Sequence, residues 1–241
     1  MLVPLMTERY DTAAAAHYAA YRPALHGLIL DRALGPTIRF GVGVDVGCGT
    51  GRSTVALAAR CTRTIGVDPS VSMLRRAMPQ EGVSYLRGTA NTLPVPEDTA
   101  DVITFAGSLY YADSAATRRE VLRVGRVGAV VLVYDFEVLL ASALSTMQIE
   151  MTVPATRYDH TANFSGRDGF AAQAGGSESI ELEMSASDFA HLVLSDSHRL
   201  DYLSSQYGRS SVYEFLVRRA GDGAVRLTAV LHFSSYVLAH T

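Results

Sequence analysis

The sequence predicts an α/β fold built on a mostly parallel sheet, and three observations carry that prediction. Short apolar runs alternate with helical stretches from residue 41 to residue 136. The runs are apolar on both faces, as strands covered by helices on both sides must be. Directly after the first run, "VGVDVGCGTGRST" (42–54) places Gly47, Gly49 and Gly51 at every second residue before a helix.

In chain order, residues 12–34 read as helix with a break at Pro23, where proline removes a backbone donor. Strands are predicted at 41–46, 63–68, 82–88, 100–107 and 128–136. Helices are predicted between them at 51–61, at 71–78 with Ser70 as its cap, and at 114–124. After Phe136 the rhythm changes. A helix is read over 138–152, then a polar, glycine-rich, irregular stretch, then a helix over 185–196. That last helix opens with the capping spacing Ser185/Asp188. Residues 211–219 and 224–240 read as two strands around "AGDG", an antiparallel hairpin on the sheet edge. The expected organisation is therefore a core over 1–136, an inserted lid over 137–210 and a closing hairpin over 211–241.

Composition excludes several function classes. The formal charge of −3 argues against a nucleic-acid surface. Cys48 and Cys61 are too few for a disulfide framework or a zinc site, and acidic residues in 150–200 lack metal-ligand spacing, so no metal is expected. No apolar run reaches the roughly 18–20 residues that span a bilayer. "MLVPLMTERYD" has neither a basic nor a long apolar segment of a signal peptide, and cytoplasm is the expected compartment.

A strand, a glycine loop and a helix bring backbone close to a ligand. A dinucleotide fingerprint needs its third glycine three residues on, whereas Gly51 is two residues on. Asp45, two residues before Gly47, suits an ammonium group and is a poor neighbour for a pyrophosphate. Asp68, at the tip of the second strand, stands where a carboxylate accepts from a ribose diol; read alone it is also an ordinary turn residue before proline.

"VDVGCGTG", "IGVDPS", "GTANTLPVPEDTADVITFAGSLYYAD" and "EVLRVGRVGAVVLVYDF" together resemble the successive motifs of class I S-adenosylmethionine-dependent methyltransferases. The likeness is to the small-molecule subfamily that includes ubiquinone/menaquinone-type and trans-aconitate-type enzymes, and it covers about residues 10–136. It implies a Rossmann-like seven-stranded sheet and S-adenosyl-L-methionine as cofactor. It also implies a small-molecule methyl acceptor, a place in secondary metabolism, and a monomer or homodimer without nucleic-acid or membrane partners. By the same resemblance Gly47, Gly49 and Gly51 lie under the methionine part, with Asp45 near its ammonium. Asp68 takes the ribose hydroxyls. Pro69 and Met73 flank the adenine, and Ala106 borders the cofactor at the end of the fourth strand. Relatives carry Gly-Asp-Ala after the third strand. Here the segment is Gly88-Thr89-Ala90-Asn91, so the acid is missing and Thr89, Ala90 or Asn91 must serve the adenine edge. Tyr18, Tyr21 and Arg22 are the candidates for the methionine carboxylate.

Methyl transfer from a sulfonium needs alignment and water exclusion more than a strong acid or base. Tyr110, after the fourth strand, and His160 and His191, in the expected lid region, are the candidate catalytic residues, with His17 behind them. Aromatic and apolar residues of 138–210, among them Met147, Tyr158, Phe164 and Phe189, suggest an apolar or aromatic acceptor. Two other readings use the same loop: a repurposed member that uses the bound cofactor for a cyclisation or elimination, and a nicotinamide-dependent oxidoreductase, which the glycine spacing and Asp45 disfavour.

Overall fold

The structure is a computed structural model that describes residues 12–21, 23–151 and 158–239; within the first helix only the backbone of Thr12, Ala15, Tyr18 and Ala19 is described. Arg22 and the Tyr18 side chain, two of the expected cofactor contacts, lie outside the described residues.

Helices α1 (Thr12–Ala20) and α2 (Leu25–Leu34) flank the break at Pro23. The alternating core follows as β1 (Phe40–Val46), α3 (Arg52–Ala58), β2 (Cys61–Asp68), α4 (Val71–Leu74) and β3 (Val83–Arg87). After these come β4 (Ala100–Ala106), α5 (Leu109–Ala112), α6 (Ala115–Val124) and β5 (Gly125–Leu139). The chain continues through α7 (Ala141–Thr146), β6 (Phe170–Met184), α8 (Ala186–Leu194), α9 (Ser197–Tyr207), α10 (Val212–Ala220) and β7 (Val225–Leu238).

The seven strands form one sheet in the order β3-β2-β1-β4-β5-β7-β6. The first five are parallel, with Val44 opposite Ile65 on one side and Ile103 on the other, and Ile103 in turn opposite Val131. Side-chain pairs give the direction of β6 against β7. Ser177 Oγ meets His232 Nδ1 at 2.7 Å and Ser235 Oγ reaches the Ala174 carbonyl at 3.3 Å. Thr228 bonds Glu181 and Arg226 bonds Glu183. Partner numbers fall along β7 as they rise along β6, so the two run antiparallel.

The chain divides into two compact units. The larger holds residues 24–137, 157–179 and 230–241. Its core is the inward face of the sheet, with Val44, Val67, Phe105 and Val131 packed with Phe164, Phe170 and Tyr236. Strands buried on both sides explain the continuous apolar runs that make them legible. The smaller holds residues 1–23, 138–156 and 180–229, and centres on Phe189, Val193, Leu203, Leu216 and Leu227.

The expected alternation stands from β1 to β5, and three readings are corrected. Residues 212–220 are helix, not the first strand of a hairpin: Val212 and Leu216, four apart, are its buried positions, and Gly221 closes it by donating to the Val217 carbonyl. The hairpin partner of β7 is β6, inside the stretch expected to be irregular. Its Ala, Gly, Ser and Glu residues are mostly exposed, because an edge strand is held by backbone pairing on one side and needs no apolar run. Helices α4 and α7 are shorter than the expected 71–78 and 138–152, and β5 runs on to Leu139.

Phe105 is fully buried and meets the Phe164 ring edge-to-face with centroids 5.5 Å apart. Phe105→Ala is expected to lower the unfolding free energy in urea by about 3–5 kcal/mol; a loss under about 1 kcal/mol would remove this ring pair from the core.

Candidate functional site

β1 has β2 on one side and β4 on the other, so successive connections leave its carboxyl end in opposite directions. In an open α/β sheet that reversal opens a crevice, and ligands bind there. The glycine loop occupies it. Gly47 and Cys48 donate to the Val67 carbonyl, and Gly51 donates to the Cys48 carbonyl, curling the loop back on itself. Gly47 (φ +75°) and Gly51 (φ +83°) have left-handed backbone that side chains resist. A Cβ at Gly47 would lie 2.5 Å from Ser108 Cβ, and one at Gly51 would lie 2.1 Å from the Tyr85 hydroxyl. Gly49 is different: a Cβ there would meet nothing within 4 Å, so its bare face is open.

The loop is pinned by Asp68. One carboxylate oxygen accepts from the Gly49 amide and the other from the Ser70 amide, each at 2.8 Å. Ser70 Oγ then caps α4 by accepting from the Met73 amide at 3.3 Å. Asp45 lies beneath the loop, wholly buried. Its Oδ2 accepts from Ser53 and Thr54 hydroxyls at 2.7 and 2.6 Å, and its Oδ1 from Thr104 at 2.9 Å. Burial raises the Asp45 carboxyl above its ordinary value, against the three hydroxyls and with the nearby Asp68 charge. Cys48 is buried in the loop, and burial pushes its thiol upward, so it is no nucleophile.

Asp45, the three glycines, Asp68 and Ala106 thus gather at the carboxyl ends of β1, β2 and β4. Pro69 is exposed and Met73 half-buried beside Asp68. Thr89 is exposed and makes a short bridge with Thr92. Asn91 Oδ1 accepts from the Ser114 and Thr117 hydroxyls at 2.7 and 2.8 Å, so the carbonyl offered as a substitute acceptor already fastens the start of α6.

A second group of side chains stands at the ends of β4 and β5. Tyr110 packs on Tyr158 with centroids 4.7 Å apart. The Tyr158 hydroxyl lies 2.7 Å from the Gly107 carbonyl and 2.8 Å from Asp135 Oδ2. Asp135 Oδ2 also lies 2.8 Å from His160 Nδ1. Burial, then the Asp135 charge, raises the Tyr158 phenol well above its ordinary value. His191 belongs to the smaller unit, with its Nδ1 2.8 Å from that of His17 and both rings beside Tyr213. Burial and then the His191 charge push the His17 imidazole down. Asp135 and His232 escaped sequence reasoning. The legible signal was an acid closing the apolar run "VVLVYDF", since a carboxylate at the carboxyl end of a parallel strand faces the crevice.

A glycine loop pinned to a carboxylate at the sheet's reversal point defines an α/β cofactor-binding fold. Residues 44–133 match the family model described as "Methyltransferase domain". An uncharacterized methyltransferase of Mycobacterium tuberculosis is 36% identical over 88 residues, 35% of each chain. Demethylmenaquinone methyltransferase of Mycobacterium marinum is 32% identical over 128 residues, 52% of this chain and 55% of that one. The chain thus spans from about a third to about half the length of these curated relatives. Among solved structures, a proposed type II methyltransferase from Anaeromyxobacter dehalogenans superposes with a TM-score of 0.65 at 19% identity, over 91% of this chain and 98% of that one. Residues 44–133 are thus similar to a methyltransferase domain, and the fold around them is shared with that solved structure.

Two outcomes follow from the geometry. Gly51→Ala is expected to cost about 1–3 kcal/mol in urea unfolding, because strained backbone adds to the collision with Tyr85; a neutral change would mean the loop relaxes freely. For Asp45, the folded chain holds the proton more tightly than the unfolded chain. Its contribution is therefore full at low pH and is lost as pH rises from about 3.9 through the raised folded value. The difference in urea midpoints between Asp45→Asn and the native chain should move in the variant's favour as pH rises above about 4; a difference that does not change with pH would refute the assignment.

Proposed function

We propose that the protein is an enzyme that moves a methyl group from S-adenosylmethionine to an oxygen of a small apolar or aromatic acceptor by in-line displacement. The observation that carries this reading is the open face of Gly49 on a loop pinned by Asp68, within the segment that matches the methyltransferase family.

The residues present fit the cofactor. The bare glycine face accepts a ligand that any side chain would obstruct, and backbone of Gly47–Gly51 lies under its methionine part. Asp68 stands at the strand tip for the ribose hydroxyls. Pro69, Met73 and Ala90 flank the adenine, and Ala106 borders the site. Asp45 serves from behind, holding β1, α3 and β4 together through its three hydroxyl bonds. When bound, the cofactor supplies a methyl group on a positively charged sulfur. The chain's own part is to align the acceptor and keep water out. The naming of the M. marinum relative for demethylmenaquinone supports a ring-bearing acceptor.

Isothermal titration should show S-adenosylmethionine binding and no NAD binding. Asp68→Ala should weaken the cofactor at least tenfold, about 1.4 kcal/mol. Incubation with methyl-labelled cofactor and fractionated small-molecule extract should place label in a product. Binding without label in any product would overturn methyl transfer in favour of a repurposed, non-methylating use of the cofactor.

A further inference from the structure

A cavity of about 430 Å³ lies in the larger unit, between the face of β5, β7 and β6 and the segment 160–165. Its walls include Tyr134, His160, Asn163, Ser177 and His232, and Gly175 and Gly176 line one side. That volume lies within the range of small-molecule pockets and holds one or two aromatic rings. His160 forms its boundary with a smaller recess that Gly107, Tyr110, Asp135 and Tyr158 share.

The neighbours of His160 hold it in one orientation. Asp135 Oδ1 accepts from the Phe136 amide at 2.8 Å. Its Oδ2 faces both His160 Nδ1 and the Tyr158 hydroxyl at 2.8 Å. The Tyr158 ring meets the His160 ring edge-on at 4.6 Å, and the His232 ring lies parallel to it at 6.0 Å. His232 is itself held by Ser177, through Nδ1 at 2.7 Å. An ionised carboxylate only accepts, so Asp135 selects the tautomer with the proton on Nδ1 and leaves Nε2 as the ring's acceptor. The same structure ties this site to the glycine loop. Tyr158 reaches the Gly107 carbonyl, and Ser108, the next residue, packs against Gly47.

We propose that His160 Nε2 takes the proton of a phenolic hydroxyl seated in this cavity, with Asp135 as the residue that positions and polarises the imidazole. The inference rests on the methyltransferase reading and deepens it by naming the acceptor class. The step is a proton transfer: the phenol O–H bond breaks, its electron pair stays on oxygen as the nucleophile, and the proton forms a bond to Nε2. The resulting imidazolium faces the Asp135 carboxylate and later returns the proton to solvent. A phenol suits this site because its proton is within reach of an imidazole, whereas an aliphatic alcohol holds its proton far more tightly. Ser177, Asn163 and His232 make part of the cavity wall polar.

The test uses the whole chain without cofactor and 4-hydroxyacetophenone as a chromogenic phenol, at the near-neutral pH where about one tenth of the free probe is ionised. Saturating protein should raise the phenolate absorption band at least threefold. His160→Gln should abolish the rise. Asp135→Asn should bind the probe yet lose at least half of it, and the His160 imidazole nitrogens should then show mixed tautomers in place of the Nδ1–H form. An unchanged band with the native chain overturns the proposal, as does an unchanged rise in His160→Gln. Calorimetry with S-adenosylmethionine in parallel separates the two readings. Cofactor binding with no band change refutes only the His160 site, and a band change with no cofactor binding refutes methyl transfer.

Discussion

The larger unit depends on one buried carboxylate. Asp45 has no exposed surface, and a bare charge in that position would cost several kcal/mol. Its two oxygens are satisfied by Ser53 and Thr54 at the start of α3 and by Thr104 on β4. Helix α3 and strand β4 are therefore both tied to a single residue of β1. The glycine loop spans the gap between β1 and α3, and its tight course is set from below by these bonds.

Asp68 and Asp135 use the same chemistry for different ends. Asp68 accepts two backbone amides and so holds the loop and the turn that starts α4. Asp135 also accepts a backbone amide, but its second oxygen faces side chains that can exchange protons. Three carboxylates at the carboxyl ends of β1, β2 and β5 thus grade from structural to chemically engaged. Partners distinguish them: hydroxyls for Asp45, amides for Asp68, and an imidazole and a phenol for Asp135.

Legibility followed burial. Strands β1 to β5 announce themselves because both faces are covered, which forces continuous apolar runs. The edge strand β6 does not, since Gly175, Gly176 and Ser177 need only backbone pairing. "SVYEFLVRR" alternates well enough to read as strand, yet Val212 and Leu216 bury one helical face in the smaller unit. Within the site, the glycines and Asp68 were legible because conformation and position restrict them to few residue types. Asn91 read as a free acceptor because sequence cannot show that Ser114 and Thr117, more than twenty residues on, already use it.

By itself the sequence determined the parallel core, the glycine loop and the carboxylates at the ends of its strands. These follow from local spacing, from the glycine needed at positive φ and from the apolar runs of doubly covered strands. Only the tertiary structure decided that Asp135, Tyr158 and His160 meet, and that His232 joins them from β7. Asp135 and His232 stand 97 positions apart in the chain, with Tyr158 and His160 between them, and no local spacing links these three segments. Their convergence is set by the strand order β4-β5-β7-β6, which places β7 beside β5 and brings the return strand of the hairpin to the histidine.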